Sequence, residues 1–149
     1  MKKACENVMK AQFPSLSQNE SLARALISAF LMQLNPTVSE LADIKCAVSE
    51  AVTNCTVHAY RDTVGEIVMT AKSFSDRSVK IEIKDRGCGI EDIATAMQPM
   101  YTTDRENERS GLGFTVMESF CDKIRVISKP QKGTKVTLIK TLSKISSAT

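Results

Sequence analysis

The spacing of apolar and polar residues predicts one strand and then a helix in the first part of the chain. Residues 7–14 have the pattern of an edge strand that ends at Pro14. Ser17-Gln18-Asn19-Glu20 has the form of a capping box, which predicts a helix that begins there and runs to about Leu34. Asn35-Pro36 ends this predicted helix.

A second capping box, Thr37-Val38-Ser39-Glu40, predicts a longer helix that runs to about Tyr60. The apolar residues behind it recur at helical spacing and are Leu41, Ile44, Val48, Ala51, Val52, Cys55 and Ala59. This pattern is typical of a long amphipathic helix that packs one face on a core.

After residue 65 the apolar spacing changes to the alternation that is typical of strands. Strands are predicted at 66–74 and from Val79 to Ile83, joined by a turn at 75–78 and therefore antiparallel. The further predicted elements are a glycine loop at 85–89, a short helix at 91–97, a polar flap at 98–110, a helix at 111–120, and strands at 123–128 and 134–141 around a turn at 130–133. This order indicates an α+β fold, a two-layer sandwich in which helices cover one face of a mixed, mostly antiparallel sheet.

Composition narrows the class of protein. The 149 residues indicate a single domain, ordered over about 5–142 with a polar tail at 143–149, and the size excludes a two-lobed kinase. The net charge of +3 does not require a nucleic-acid partner, and no apolar run is long enough for a membrane span. Five cysteines without C-x-x-C spacing predict neither a disulfide framework nor a zinc site, and we expect a cytoplasmic protein.

Three polar residues, Glu50, Asn54 and His58, recur at four-residue spacing on the second predicted helix, away from its apolar face. A solvated helix surface is one interpretation. Small neighbours, rather than Lys or Arg, flank Glu50 and Asn54, which indicates that another group approaches them. A carboxylate one turn from a carboxamide oxygen suits a general base beside a Mg²⁺ ligand.

A glycine-containing loop, Asp85-Arg86-Gly87-Cys88-Gly89, directly follows the alternating strand. It is either a simple strand-to-helix connection or a ligand loop. In the second interpretation the glycines let backbone pass close to a planar ligand, and Asp85 accepts a hydrogen bond from an exocyclic amine such as that of adenine.

A second glycine segment, Ser110-Gly111-Leu112-Gly113-Phe114, opens the predicted helix at 111–120. Free N–H groups at a helix start favour an anion, although a flexible helix cap would have the same sequence. In the preceding flap, Arg105 or Arg109 would be able to fold over a γ-phosphate. Neither a Walker A sequence nor G-x-G-x-x-G after a first strand is present.

Taken in order, Glu50-x-x-x-Asn54, Asp85-x-Gly87-x-Gly89, the flap, and Gly111-x-Gly113 with a later Thr134 resemble the N, G1 and G2 boxes of the GHKL, or Bergerat-fold, superfamily of ATPases and kinases. Within it the chain is similar to the small anti-sigma serine-protein kinases of sporulation. The resemblance implies a cytoplasmic homodimer that sequesters sigma factor F and uses ATP and Mg²⁺ to phosphorylate a serine of an anti-anti-sigma factor.

The same resemblance implies roles for individual residues. Glu50 would be the general base, Asn54 the Mg²⁺ ligand and Asp85 the adenine partner, and Arg109 would face the γ-phosphate. The other implied nucleotide contacts are Gly87, Gly89, Thr102, Thr103, Arg105, Ser110, Gly111, Leu112, Gly113 and Thr134. Arg24 matches a position that this family uses for contact with the sigma factor.

Two departures from the family pattern concern residues 59 and 104. Ala59 stands where the family has glycine, so a positive φ there would be costly, and Asp104-Arg105 replaces Lys-Pro in the lid. Two alternative functions are an anti-sigma kinase of the general stress response and a nucleotide-gated binding protein without useful catalysis. Glu50 argues against the second, because a pure binder needs no carboxylate beside Asn54.

Overall fold

The computed structural model describes residues 3–61, 63–90 and 113–144. The elements, numbered in chain order, are β1 (Cys5–Pro14), α1 (Asn19–Met32), α2 (Val38–Asn54), a π turn (Cys55–Ala59), β2 (Glu66–Phe74), β3 (Ser78–Asp85), α3 (Gly113–Phe120), β4 (Lys123–Lys129) and β5 (Gly133–Thr141). The predicted short helix at 91–97 and the flap at 98–110 lie outside the described residues. The described part confirms the α+β class.

The five strands form one sheet in the order β1-β2-β3-β5-β4, and every neighbouring pair is antiparallel. β1 is an edge strand, as predicted. One face of the sheet carries the apolar residues Met69, Ile83 and Val136, which lie opposite one another on β2, β3 and β5. This inner face belongs to a single core with the buried residues of α1 and α2.

The two predicted capping boxes have different outcomes. The box at α2 is confirmed: the Glu40 N–H donates to Thr37 Oγ1 over 3.0 Å, and the Thr37 N–H donates to Glu40 Oε1 over 2.9 Å. The box at α1 is wrong. The helix is capped by Gln18 without a side-chain hydrogen bond, because the Glu20 carboxylate turns to α2 instead.

The end of α2 differs from a regular helix. The Tyr60 N–H donates to the Cys55 carbonyl over 3.1 Å, a five-residue step that defines the π turn. Since a π turn holds more residues than an α-helical turn, the four-residue line from Glu50 through Asn54 does not continue in phase to His58. Ala59 takes no positive φ here, so it carries none of the backbone strain expected for a residue that replaces glycine.

Candidate functional site

Asp85 ends β3, and three donors hold its carboxylate in one orientation. The N–H groups of Gly87 and Thr134 donate to Oδ1 over 2.9 and 3.2 Å, and the Cys55 thiol donates to Oδ2 over 3.4 Å. Only 5% of Asp85 is exposed. Burial raises the pKa of Asp85 above its ordinary value, against the lowering effect of the three hydrogen bonds.

This carboxylate fits the recognition of an amine. A carboxylate oxygen accepts about two hydrogen bonds, and the thiol of Cys55 is the donor that Oδ2 receives from the described residues. Oδ2 therefore has capacity for one more donor, as the adenine amine requires. The other oxygen, Oδ1, already accepts the two hydrogen bonds from the backbone N–H groups of Gly87 and Thr134.

Cys55 is a member of this site that sequence reasoning missed. Its thiol is buried with 3% exposed, and burial beside the Asp85 carboxylate raises the pKa of Cys55 well above its ordinary value. The sulfur therefore stays protonated and acts as a donor. The sequence placed Cys55 only in the apolar stripe of the long helix, and no pattern marked it as a partner of a residue thirty positions later.

The loop after Asp85 is held against the π turn and the β4–β5 turn. The Tyr60 hydroxyl accepts from the Arg86 N–H over 2.6 Å and donates to the Glu66 carbonyl over 2.8 Å. The Cys88 N–H donates to the Ala59 carbonyl over 3.1 Å, and the Cys88 carbonyl accepts from the Gln131 N–H over 2.6 Å. These contacts join the end of α2 to the loop that carries Gly87 and Gly89.

The glycines of this loop are needed for the packing of the chain on itself. A Cβ added at Gly87 would lie 2.3 Å from the Ala59 carbonyl oxygen. One added at Gly89, where φ is +75°, would lie 2.2 Å from the Lys129 carbonyl oxygen. In the described residues these glycines approach the π turn and β4, and the predicted approach to a planar ligand stays a prediction.

Gly87→Ala tests this close approach. The added methyl has backbone on its far side and cannot be accommodated by rotation of a side chain, so we expect a loss of about 1–3 kcal/mol of unfolding free energy. Cys88→Ala is the control, because it removes only weak thiol hydrogen bonds to the His58 and Gly89 carbonyls. Thermal unfolding of the two variants measures the difference; equal midpoints would show that the loop moves away without cost.

Thr134 lies beside Asp85, and its predicted place near the adenine stays a prediction. It is 9% exposed, its N–H donates to Asp85, and its hydroxyl lies 2.8 Å from the Ser128 hydroxyl. Ser128 was not predicted. Its hydroxyl also accepts from the Ile90 N–H over 2.7 Å and so joins the loop after Asp85 to β4.

Glu50 and Asn54 lie in the last two turns of α2, both partly exposed, and Asn54 is the final residue before the π turn. The next residue, Cys55, contacts Asp85, so the predicted N and G1 boxes meet in space. Glu20 of α1 fixes the same turns: its carboxylate accepts from Ser49 Oγ over 2.6 Å and from Thr53 Oγ1 over 2.9 Å.

Arg24 lies on α1 beside this contact. Its guanidinium donates to Glu20 Oε1 over 3.3 Å and to Ser49 Oγ over 3.4 Å, and 41% of its side chain is exposed. The predicted partner-binding residue is therefore connected through Glu20 to the helix that carries Glu50.

The remaining predicted site residues belong to the second glycine segment and the lid. Thr102, Thr103, Arg105, Arg109, Ser110, Gly111 and Leu112 lie outside the described residues. Gly113 begins α3. Among the residues that the structure describes, no cluster of three or more His, Cys, Asp or Glu side chains would hold a metal ion by itself.

Several known proteins are similar to this chain in sequence. Residues 13–140 match the histidine kinase-like ATPase domain. The anti-sigma F factor of Caldanaerobacter subterraneus subsp. tengcongensis is 53% identical over 135 residues, which is 90% of this chain and 93% of that protein. The chain belongs to the anti-sigma F factor family. The anti-sigma F factors of Shouchella clausii and Clostridium kluyveri are each 49% identical, over 92% and 95% of this chain and 94% and 99% of theirs.

Solved structures agree on the fold. The RsbU and RsbW domains of a Mycobacterium tuberculosis protein superpose with a TM-score of 0.71 at 24% identity, over 95% of this chain and 34% of that longer one. A histidine kinase domain from Erythrobacter litoralis gives a TM-score of 0.56 at 22% identity, over 70% of this chain and 46% of that one. The helices that the structure of this anti-sigma F family member describes are too short or too polar to span a membrane.

Proposed function

We propose that this chain is an ATP-dependent serine-protein kinase that also binds and sequesters sporulation sigma factor F. The observation that carries the proposal is the contact between the end of α2 and the Asp85 loop, through Cys55 and Ala59. It joins the end of the helix that carries the Glu50 carboxylate and the Asn54 carboxamide to the loop that follows a buried acceptor on the sheet. The names of the relatives, anti-sigma F factor, support the partner.

In this proposal Asp85 selects adenine. The backbone N–H groups of Gly87 and Thr134 bind Oδ1 and leave Oδ2 for the amine, and Thr134 lies next to the base. Gly87 and Gly89 shape the pocket through their packing on the chain, and Gly111, together with Gly113 at the start of α3, would hold phosphates. Burial of Asp85 strengthens the hydrogen bond, since water does not compete for the carboxylate.

Phosphoryl transfer would use Glu50 and Asn54. Mg²⁺, when bound, neutralises phosphate charge, and the Asn54 carboxamide oxygen is a hard donor of the kind that this ion takes. Glu50 accepts the proton of the substrate serine as its oxygen forms a bond to the γ-phosphorus and the bond to the β,γ-bridging oxygen breaks, which leaves ADP. Arg109 in the lid would spread the charge of the transferred group.

The partners in this proposal are proteins. Sigma factor F would contact the exposed guanidinium of Arg24 on α1, and the protein substrate is an anti-anti-sigma factor that loses activity when its serine is phosphorylated. The chain would act as a cytoplasmic homodimer.

Incubation with γ-labelled ATP, Mg²⁺ and the anti-anti-sigma factor tests the kinase. We expect acid-stable label on serine of the second protein. Label on histidine, or label released only as free phosphate, would contradict the assignment. Omission of Mg²⁺ serves as the metal control and should abolish transfer.

Capture of sigma factor F on the immobilised protein tests the partner. We expect retention by the natural protein and strong loss with Arg24→Glu, while ATP binding stays unchanged. Lys144→Glu, a matched reversal in the exposed C-terminal segment, is the control. If the protein instead prefers a stress-response sigma factor, the assigned partner is wrong, but the kinase assignment stands.

The contact of Glu20 with α2 predicts an effect on rate. Ser49→Ala with Thr53→Val removes the two hydrogen bonds to Glu20 and the longer one from Arg24 to Ser49 Oγ, with little change in side-chain volume, so the turn that carries Glu50 loses its fixed position. We expect kcat for serine phosphorylation to fall about tenfold with little change in the Kd of ATP, because small misplacements of reacting groups are costly. Ser119→Ala on α3 is the control, and equal rates for both proteins would show that Glu20 is only a surface contact.

A further inference from the structure

The outer face of the sheet, opposite the helices, carries an excess of cations. Three cross-strand rows make up this outer face: Val8, Lys72, Lys80, Ile139 and Lys123; Lys10, Thr70, Glu82, Thr137 and Arg125; and Gln12, Val68, Lys84, Lys135 and Ile127. These rows hold seven basic residues and one acid. They contribute +6 to a chain whose total is +3, which leaves −3 for the rest.

The arrangement of these cations is costly in the isolated protein. Lys84 lies directly opposite Lys135, and Lys72 lies directly opposite Lys80. Like charges in such cross-strand pairs destabilise a sheet. Within the described part of the chain the ion pairs at this face are Lys80 with Glu82, at 3.2 Å, and Lys3 with Asp76 at the rim, at 3.9 Å. An anionic partner would relieve the repulsion that remains.

Apolar side chains lie among the cations and form the floor of a groove across β3, β5 and β4. Ile127, Ile139 and Phe74 line it together with Lys80, Arg125 and Lys135. Ile127 is 51% exposed and so adds apolar surface to the groove. The groove therefore matches a ligand that carries both acidic and apolar groups.

We infer that this outer face is a docking surface for an acidic segment of another protein that presents apolar side chains between its carboxylates. Single-stranded nucleic acid fits less well, because it binds by stacking on open aromatic faces, and the ring of Phe74 is covered by the Lys3 ammonium at 4.6 Å. A second copy of the chain fits less well too, since two such faces repel. Strands β2 to β4 span about 14 Å at about 4.8 Å per strand, which an extended segment of about four residues crosses.

Fluorescence anisotropy with a labelled peptide of alternating Glu and Leu tests the inference. We expect binding by the natural protein that weakens with salt, and a Kd at least tenfold higher for Lys84→Glu with Lys135→Glu. Lys132→Glu with Lys144→Glu makes the same change in net charge at exposed positions off the rows and should stay within twofold. Ile127→Ser should weaken the peptide further, since it removes the apolar contact and no charge.

Four results would overturn the inference. The first two are an equal loss of peptide affinity in the two double variants and no saturable binding of the peptide. The other two are tighter binding of duplex DNA or of phosphatidylglycerol vesicles than of the peptide, and a change of oligomeric state in the Lys84 and Lys135 variant without a change in peptide binding. Circular dichroism and ADP binding establish that each variant is folded. If the Glu variant does not fold, Lys84→Gln with Lys135→Gln replaces it, with an expected rise in Kd of about threefold to tenfold.

Discussion

Glu50→Gln should reduce serine phosphorylation by about 10²- to 10⁴-fold, the usual contribution of a general base. The variant keeps the size and hydrogen-bonding capacity of the side chain but cannot take the serine proton. Since Glu50 is proposed to act on the attacking hydroxyl and not on the nucleotide, the Kd of ATP should stay nearly the same. Single-turnover transfer with γ-labelled ATP, beside calorimetry of ATP binding, separates the two quantities.

Glu118→Gln is the matched control for this change, because Glu118 is exposed on α3 and its substitution alters the same charge. It should transfer phosphate at the natural rate. Normal turnover by Glu50→Gln would remove the general-base role, and loss of ATP binding in that variant would make Glu50 part of the nucleotide site instead.

Asp85→Asn should have the largest effect on nucleotide recognition, a loss of ATP affinity of about 100-fold. The N–H groups of Gly87 and Thr134 require an acceptor at the position of Oδ1, so the amide oxygen takes that place. The amide NH₂ then stands where Oδ2 was and meets the adenine amine, donor against donor. An unpaired buried donor costs about 1–3 kcal/mol.

The same geometry predicts a change of preference. Hypoxanthine has an oxygen in place of the adenine amine, so Asp85→Asn should bind ITP better than ATP, whereas the natural protein should prefer ATP. Cys55→Ala is a useful companion, because it removes the thiol donor at Oδ2 but leaves the acceptor in place. Unchanged preference in Asp85→Asn would mean that another group reads the base.

Lowering the pH should have opposite effects on the affinity for ATP and on the contribution of Asp85 to folding stability. Because burial raises the pKa of Asp85, it takes up a proton above the ordinary range of an Asp carboxyl and loses its role as acceptor, so ATP affinity should fall there. The contribution of Asp85 to folding has the opposite sign. The folded state binds the proton first, so this contribution rises as pH falls through the raised pKa. Calorimetric titrations across pH should show an acid limb that Asp85→Asn lacks.

The course of the chain could largely be predicted, because helical and alternating spacing reflect burial directly. The strand bounds 66–74 and the capping box at Thr37 are confirmed. The box at Ser17 failed for a physical reason: the Glu20 carboxylate finds two hydroxyl donors on α2, and these tertiary partners compete with the local N–H. A capping pattern cannot contain information about a helix thirty residues away.

Local motifs pointed to candidate residues of the site, but not to the contacts between them. Asp85 and Thr134 come from separate motifs and lie together in the structure through the β3–β5 pairing. Cys55, Tyr60 and Ser128 were missed, because each acts through a hydrogen bond to a residue that is distant in sequence or on another strand. The π turn was also missed, since its residues continue the apolar spacing of the helix.

The proposed nucleotide site is tested most directly by a structure of the natural protein with a non-hydrolysable ATP analogue and Mg²⁺. We expect the adenine amine within about 3 Å of Asp85 Oδ2, with Oδ1 still bound by the N–H groups of Gly87 and Thr134. We also expect Mg²⁺ in contact with the Asn54 carboxamide oxygen. Adenine bound away from Asp85, or Asn54 turned away from the metal, would contradict the proposed roles of these residues.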